Sequence, residues 1–232
     1  MKRVLLKLSG EALSNGSGEI YDMAFVDKVA GVLKRCATDG YEVAIVVGAG
    51  NIWRGRQGTN MDQTNADRMG MLATVINCTC LKDALERAGA KASVMTAVPM
   101  SPLAENYTAE LASKYLSEGR IVIFGAGLGI PFLSTDTTGA VRAAEVGVSE
   151  ILMAKNIDYI YTDDPRKNPN AKKLERVKAS EVLAMNLKAI DATATAFALA
   201  NSIPVKVFGL KEPEDIIRAV RGELVGTEII PE

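Results

Sequence analysis

Val4-Leu5-Leu6-Lys7-Leu8-Ser9-Gly10 places an ammonium group inside an apolar run that ends in small residues. A strand about to be buried should exclude that charge, because taking it out of water costs several kcal/mol unless an anion meets it. Lys7 therefore needs an anionic partner. The chain contains no histidine, and the economical source is a phosphate held where the strand runs out into glycine-rich backbone.

Outward from this strand the pattern repeats. Asp22 to Thr38 reads as an amphipathic helix closed by Gly40, and Val43 to Val47 as a second strand ending in Gly48-Ala49-Gly50-Asn51. Apolar residues recur at helical spacing from about Asn65 to Ala88 and stop at Gly89, a left-handed cap. Ala92 to Thr96, Ile121 to Phe124, Ile151 to Ala154 and Val205 to Phe208 read as further strands, with a last one near Ile229. Between them lie helices at Thr108 to Glu118, from Asp136 as a cap to near Gly147, at Ser180 to Leu187, at Asp191 to Asn201, and from Pro213. Asp163-Asp164-Pro165 and Asn168-Pro169-Asn170 are turn signals within a surface excursion. Strands alternating with helices imply an α/β fold, a mainly parallel sheet covered on both faces, with ligands at the carboxyl ends of the strands.

Composition narrows the chemistry. At 232 residues and 48% hydrophobic content the chain can bury a substantial core, and one domain over residues 1–232 is expected. The 27 basic and 28 acidic residues leave a net charge of -1, which gives no electrostatic footprint for nucleic acid. Lys7 interrupts the only apolar stretch near the start, no small-residue cleavage site follows, and no later run approaches membrane-spanning length, so a cytoplasmic location is expected. Cys36, Cys78 and Cys80 lack zinc-site spacing and read as free thiols. Without histidine, neither Ser-His-Asp or Cys-His catalysis nor H-E-x-x-H metal chemistry is open. Lys, Arg, Asp, backbone amides and a hard metal ion remain.

Four strand-end loops suit oxyanions: Ser9-Gly10, Gly48 to Asn51, Gly125-Ala126-Gly127-Leu128-Gly129, and the turn at Asp163-Asp164. Their glycines let N–H groups approach closely, and a following helix adds its positive end. No G-x-x-x-x-G-K-[ST] occurs. The Gly125 to Gly129 run differs from a dinucleotide fingerprint in that its last glycine falls one place early and Pro131 follows.

Several strings together resemble the amino acid kinase family, and within it the branch that phosphorylates UMP. They are Lys7-Leu8-Ser9-Gly10-Glu11-Ala12-Leu13, Trp53-Arg54-Gly55, Asp67-Arg68-Met69-Gly70-Met71-Leu72-Ala73-Thr74, Pro131-Phe132-Leu133-Ser134-Thr135-Asp136 and Tyr161-Thr162-Asp163-Asp164-Pro165. The resemblance implies a three-layer αβα sandwich and transfer of the γ-phosphoryl of ATP to UMP in pyrimidine nucleotide biosynthesis, with Mg²⁺ carried on the ATP phosphates. It implies a homohexamer, with UMP bound mainly by the N-terminal part and ATP mainly by the C-terminal part.

Residue by residue, the resemblance makes Lys7 and Asp191 catalytic. It gives ATP to Lys7, Leu8, Ser9, Gly10, Gly50, Arg54, Asn156, Tyr161 and Asp164. UMP falls to Ala49, Asp67 and the segment Leu128, Gly129, Ile130, Pro131, Phe132, Leu133, Ser134 and Thr135. Asp67 would accept hydrogen bonds from the ribose, and Lys155 can stand in for Asn156. Departures are Ala49 for a common glycine, Leu128 for threonine, Ile130 for asparagine, and Ile157-Asp158-Tyr159 for a usual Val-Asp-Gly. The family's GTP effector site finds no support in Lys82, Asp83 and Glu86 or in Asn15-Gly16-Ser17-Gly18-Glu19. Two alternatives stay open: a kinase of the same fold with another small acceptor, and a catalytically silent nucleotide-binding regulator.

Overall fold

Side chains of the first strand, β1 (Arg3–Leu8), alternate between two cores. Val4, Leu6 and Leu8 enter one, and Leu5 enters the other. With a period of two, Lys7 shares the face of Leu5. The computed structural model describes all residues except 1, 17, 54–59, 164, 166, 188 and 232.

The chain continues through α1 (Gly10–Ser14), α2 (Met23–Thr38), β2 (Glu42–Val47), α3 (Gln63–Arg87) and β3 (Ala92–Thr96). Then come β4 (Glu105–Asn106), α4 (Ala109–Ser117), β5 (Ile121–Gly125), α5 (Thr135–Glu145) and β6 (Glu150–Lys155). The short strands β7 (Ile160–Tyr161), β8 (Lys173–Leu174) and β9 (Arg176–Lys178) precede α6 (Ala179–Ala184) and α7 (Ala192–Ala200). β10 (Val205–Gly209), α8 (Glu214–Val220) and β11 (Thr227–Ile230) complete it.

Local chemistry sets most of these bounds. Asp22, Asp62 and Thr108 each accept a hydrogen bond from a backbone N–H three residues on, which satisfies an otherwise orphaned donor at the starts of α2, α3 and α4. Gly40, Gly89, Gly119 and Gly147 follow helix ends at positive φ. The helix opening at Pro213 and the strand near Ile229 form as expected.

The strands form a nine-stranded sheet in the order β4-β3-β5-β2-β1-β6-β10-β11-β9, and β7 pairs antiparallel with β8 in a second, two-stranded sheet. Every neighbouring pair of the large sheet is parallel except β10 with β11. α2, α3 and α8 cover the face that carries Val4, Leu6 and Leu8, while α4, α5, α6 and α7 cover the face that carries Leu5. The α/β three-layer architecture expected from the sequence is therefore present, with β1 near its middle. Because β1, β2, β5, β6 and β10 run in one direction, the loops that follow them meet along one edge.

Candidate active site

Lys7 is buried on the α5 face, and its Nζ lies 2.8 Å from Asp136 Oδ1. The other carboxylate oxygen of Asp136 accepts from Lys155 Nζ at 2.5 Å, and that ammonium also donates to the Ala189 carbonyl at 2.6 Å. The strands fix this arrangement: Lys7 pairs in register with Met153, so Lys155 stands two residues further along the adjacent strand. α5 approaches closely because Gly139 packs over them, where a Cβ would come within 3.8 Å of Lys7 Cβ.

Burial pushes the Asp136 carboxyl up, but the charges of Lys7 and then Lys155 outweigh it and hold the pKa down at about 2. Burial is also the main influence that lowers Lys155, opposed by the Asp136 charge and reinforced by Lys7. One buried carboxylate thus serves two ammonium groups. The Asp191 carboxylate also acts on Lys155, so these four side chains balance in charge, with the two ammonium groups beside the strand ends.

Asp191 caps α7, accepting from Thr193 N at 3.2 Å. Its Oδ2 accepts from Ser134 Oγ and Thr137 Oγ1, both at 2.7 Å, and its N–H reaches Asp136 Oδ2 at 3.4 Å. Partial burial raises this carboxyl, yet the donors from Thr137, Ser134 and Thr193 bring it below the usual range. The carboxylate in contact with Lys7 is that of Asp136. Nor does Asp136 cap α5, as its position had suggested; Ser134 does, accepting from Thr137 N at 3.1 Å.

The loop after β2 is held from beneath. Asn77, fully buried on α3, donates to the Gly48 carbonyl at 2.7 Å and to Asn51 Oδ1 at 2.8 Å, and accepts from Tyr21 OH and Asn51 Nδ2. Gly10 packs against this loop: a Cβ there would sit 2.6 Å from the Gly48 carbonyl oxygen and 2.7 Å from Gly50 N. Only glycine permits that approach.

Two clefts open on either side of the same loop. The larger, about 720 Å³, is bordered by Ser9, Gly50, Asn51, Lys155, Asn156 and Gly209. The smaller, about 200 Å³, is bordered by Ala49, Asp67, Thr74, Leu128, Ser134 and Thr135. Consecutive residues Ala49 and Gly50 face different clefts. The start of α5, an eleven-residue helix, adds its positive end to the smaller one.

Most of the residues singled out from the sequence gather here. Ser9, Gly50 and Asn156 border the larger cleft, and Ala49, Asp67, Leu128, Ile130, Leu133, Ser134 and Thr135 the smaller. Asp67 accepts from Gln63 Nε2 at 2.7 Å and from the Phe132 N–H at 2.8 Å, which ties α3 to the segment that contains Gly129 and Pro131. The Phe132 side chain itself points outward, 64% exposed. Leu8 is buried beneath Ser9. Tyr161 is not part of either lining; its hydroxyl donates to Asp158 Oδ1 at 3.2 Å. Arg54 and Asp164 lie outside the described residues.

Sequence reading missed the weight of Lys155, Asp136 and Asn77. Lys155 carries the same signal as Lys7, an ammonium group ending the apolar run Ile151 to Ala154. Asp136 and Asn77 leave no such mark, because their partners lie in other elements.

A model of the amino acid kinase family matches residues 2–209. The chain is 36% identical to UMP kinase from Bacillus anthracis, with a TM-score of 0.95, over 100% of this chain and 96% of that one. Against UMP kinase from Ureaplasma parvum the identity is 35% and the TM-score 0.93, over 99% of this chain and 98% of that one. Uridylate kinase from Archaeoglobus fulgidus is 26% identical, TM-score 0.74, over 99% of this chain and 100% of that one. A family match that runs from the strand bearing Lys7 to the end of β10, joined to these likenesses along the whole sheet, makes this chain a member of the amino acid kinase family.

Proposed function

We propose that the chain transfers the γ-phosphoryl group of ATP to UMP, giving UDP and ADP, as a cytoplasmic step of pyrimidine nucleotide synthesis. The observation that carries this reading is the pair of clefts on the two sides of the Gly48–Gly50 loop, with Lys7 and Lys155 beside it. ATP, the larger ligand, takes the larger cleft, with Lys7, Leu8, Ser9, Gly10, Gly50, Asn156 and, outside the described residues, Arg54 and Asp164; a contact with Tyr161 would have to come from beyond that lining. UMP takes the smaller one: its phosphate faces Ala49 and the start of α5 at Ser134 and Thr135, its ribose Asp67, and its base the turn at Leu128 to Ile130. In this placement UMP is bordered by residues between Ala49 and Thr138, and ATP by residues from both ends of the chain, Ser9 to Asn51 and Lys155 to Lys211.

The chemistry suits a chain without histidine. A UMP phosphate oxygen attacks the γ-phosphorus; the new O–P bond forms as the bond to the β,γ-bridging oxygen breaks, and its electron pair leaves on ADP. That oxygen is already an anion, so no general base is needed. Repulsion is the obstacle, since two like unit charges at ~4 Å cost about 4 kcal/mol at an effective dielectric of 20. Lys7, Lys155, the loop amides and the α5 terminus answer it. Asp191 orders Ser134 and Thr137 at that terminus.

Among the described residues no group of three or more acidic, histidine or cysteine side chains converges as a metal site. Asp136 is taken by two lysines. That donor set suits Mg²⁺ arriving on the ATP phosphates, where it would supply further charge neutralisation. We place the subunits in a homohexamer, supported by an apolar stripe on α3 in which Leu72 and Ile76 are 55% and 53% exposed beside Met69; light scattering reads the assembly directly. No helix among the described residues is long and apolar enough to cross a membrane.

An acceptor panel with Mg²⁺-ATP tests the reading. UDP should form from UMP; turnover of an amino acid, carbamate or isopentenyl phosphate with none of UMP contradicts it, and UMP binding without UDP favours a silent regulator. Asp67→Asn should raise the UMP concentration needed for half-maximal rate about tenfold, the scale of one hydrogen bond to a charged group, with a smaller effect on kcat. An unchanged UMP saturation curve would leave Asp67 a purely structural link between Gln63 and Phe132.

A further inference from the structure

Beyond the acceptor cleft lies a guanidinium that the reaction above does not use. Arg142, on α5, is only 5% exposed. Its Nη1 pairs with Glu145 Oε2 at 2.5 Å, and its Cζ lies 3.6 Å from the centre of the Tyr107 ring. Tyr107 packs edge-on against Phe124 at 5.4 Å and donates through its hydroxyl to the same Glu145 oxygen at 2.6 Å. The remaining fork of Arg142, Nη2, points to the carbonyl of Gly127 at 3.5 Å, while Nε has no hydrogen-bond partner among the described residues. An apolar side chain of similar volume would fill this site without the cost of a partly unsatisfied buried charge. Packing alone does not explain an arginine here.

Gly127 belongs to the turn that borders the acceptor cleft. Ala126, Gly127 and Gly129 all have φ between 58° and 78°, a conformation that a non-glycine residue such as Ala126 adopts only when held. Thr74 Oγ1, on α3, holds one side by accepting from Ala126 N at 2.9 Å. Arg142, on α5, reaches the other. Few side-chain donors are left for a base in that cleft: Thr74 Oγ1 donates to Met71 O, Thr138 Oγ1 to Ser134 O and Ser134 Oγ to Asp191, while Leu128 and Ile130 have none to give. The edge of a base would meet the main chain of the turn, whose placement then sets how well it is read.

We propose that Arg142 is a positioning residue for acceptor recognition, its guanidinium holding the Gly127 carbonyl and so the 126–130 turn whose main chain reads the base. The assignment rests on the UMP reading of this cleft. Steady-state kinetics of Arg142→Met and Arg142→Lys test it, with UMP and CMP as acceptors and the thermal midpoint of each variant recorded. Lysine can keep the ion pair with Glu145 and a charge over Tyr107, but it lacks the fork that reaches Gly127. Both variants should raise the UMP KM about tenfold and narrow the UMP-over-CMP preference by a similar factor, with the ATP KM within about twofold of wild type. If Arg142→Met does not fold, Arg142→Lys decides alone. A lysine variant with wild-type UMP KM and wild-type preference reduces Arg142 to a stabilising charge and overturns the assignment. Absence of UDP from the wild-type enzyme overturns the acceptor reading and this assignment with it, whereas UDP from wild type and unchanged variants overturns only the role of Arg142.

Discussion

Lys7→Met should lower kcat by about 10²–10³-fold while changing UMP binding far less, the scale seen when one preorganised electrostatic donor is removed from a transition state. Methionine suits the space, because the stem of Lys7 already packs beside Leu5 under Gly139 and little cavity follows from the exchange. What disappears is the charge. In the ground state UMP sits in the cleft bordered by Ala49, Asp67 and Ser134, none of which changes. As the γ-phosphoryl group moves between oxygens its charge shifts toward the bridging position, and an ammonium fixed at the end of β1 counts most there. Single-turnover rates with saturating ATP, set beside UMP binding by calorimetry, separate the two effects. An unchanged rate would remove Lys7 from catalysis.

Asp136→Asn should be more damaging to the protein than to any binding site. It removes the carboxylate shared by Lys7 and Lys155 and leaves two buried ammonium groups facing a neutral amide. Breaking a buried ion pair by deleting one partner costs about 3–5 kcal/mol, against a typical total stability of about 5–15 kcal/mol. The pH dependence carries a sign. A carboxyl whose pKa falls from 3.8 in the unfolded chain to about 2 in the folded one stabilises the fold above pH 3.8 and ceases to do so as pH falls through 2. The depression corresponds to about 2 kcal/mol. Urea unfolding of wild type between pH 5 and 2 should show that loss, and Asp136→Asn, already less stable at pH 7, should show a shallower acid limb. Equal slopes in the two proteins would mean that Asp136 is not ionised in the way the geometry requires.

How far the sequence alone reveals this site depends on where each partner lies. The strands from Val4, Val43, Ala92, Ile121, Ile151 and Val205 and the long helices announce themselves, because each carries its own periodicity and its own cap or glycine stop. The five-residue α1 and the two- and three-residue strands β4, β7, β8 and β9 do not, since pieces that short are specified by neighbours rather than by pattern. Lys7 was legible as a charge out of place in an apolar strand. Its partner was not: Asp136 sits where a helix cap is expected, and only the close packing of α5 over β1 turns it into an ion-pair partner. Asn77 is hidden for the same reason, one polar residue on a long helix whose four hydrogen bonds all reach loops distant in sequence.

Lys7 should meet the phosphoryl group in flight between the two clefts. A crystal structure of the full chain with UMP, Mg²⁺ and a non-hydrolysable ATP analogue measures this. Lys7 Nζ should lie within about 2.7–3.2 Å of a γ-phosphate oxygen, with the UMP phosphate on the far side of the Gly48–Gly50 loop. An ammonium still bound only to Asp136, with both nucleotides out of its reach, would remove Lys7 from phosphoryl transfer.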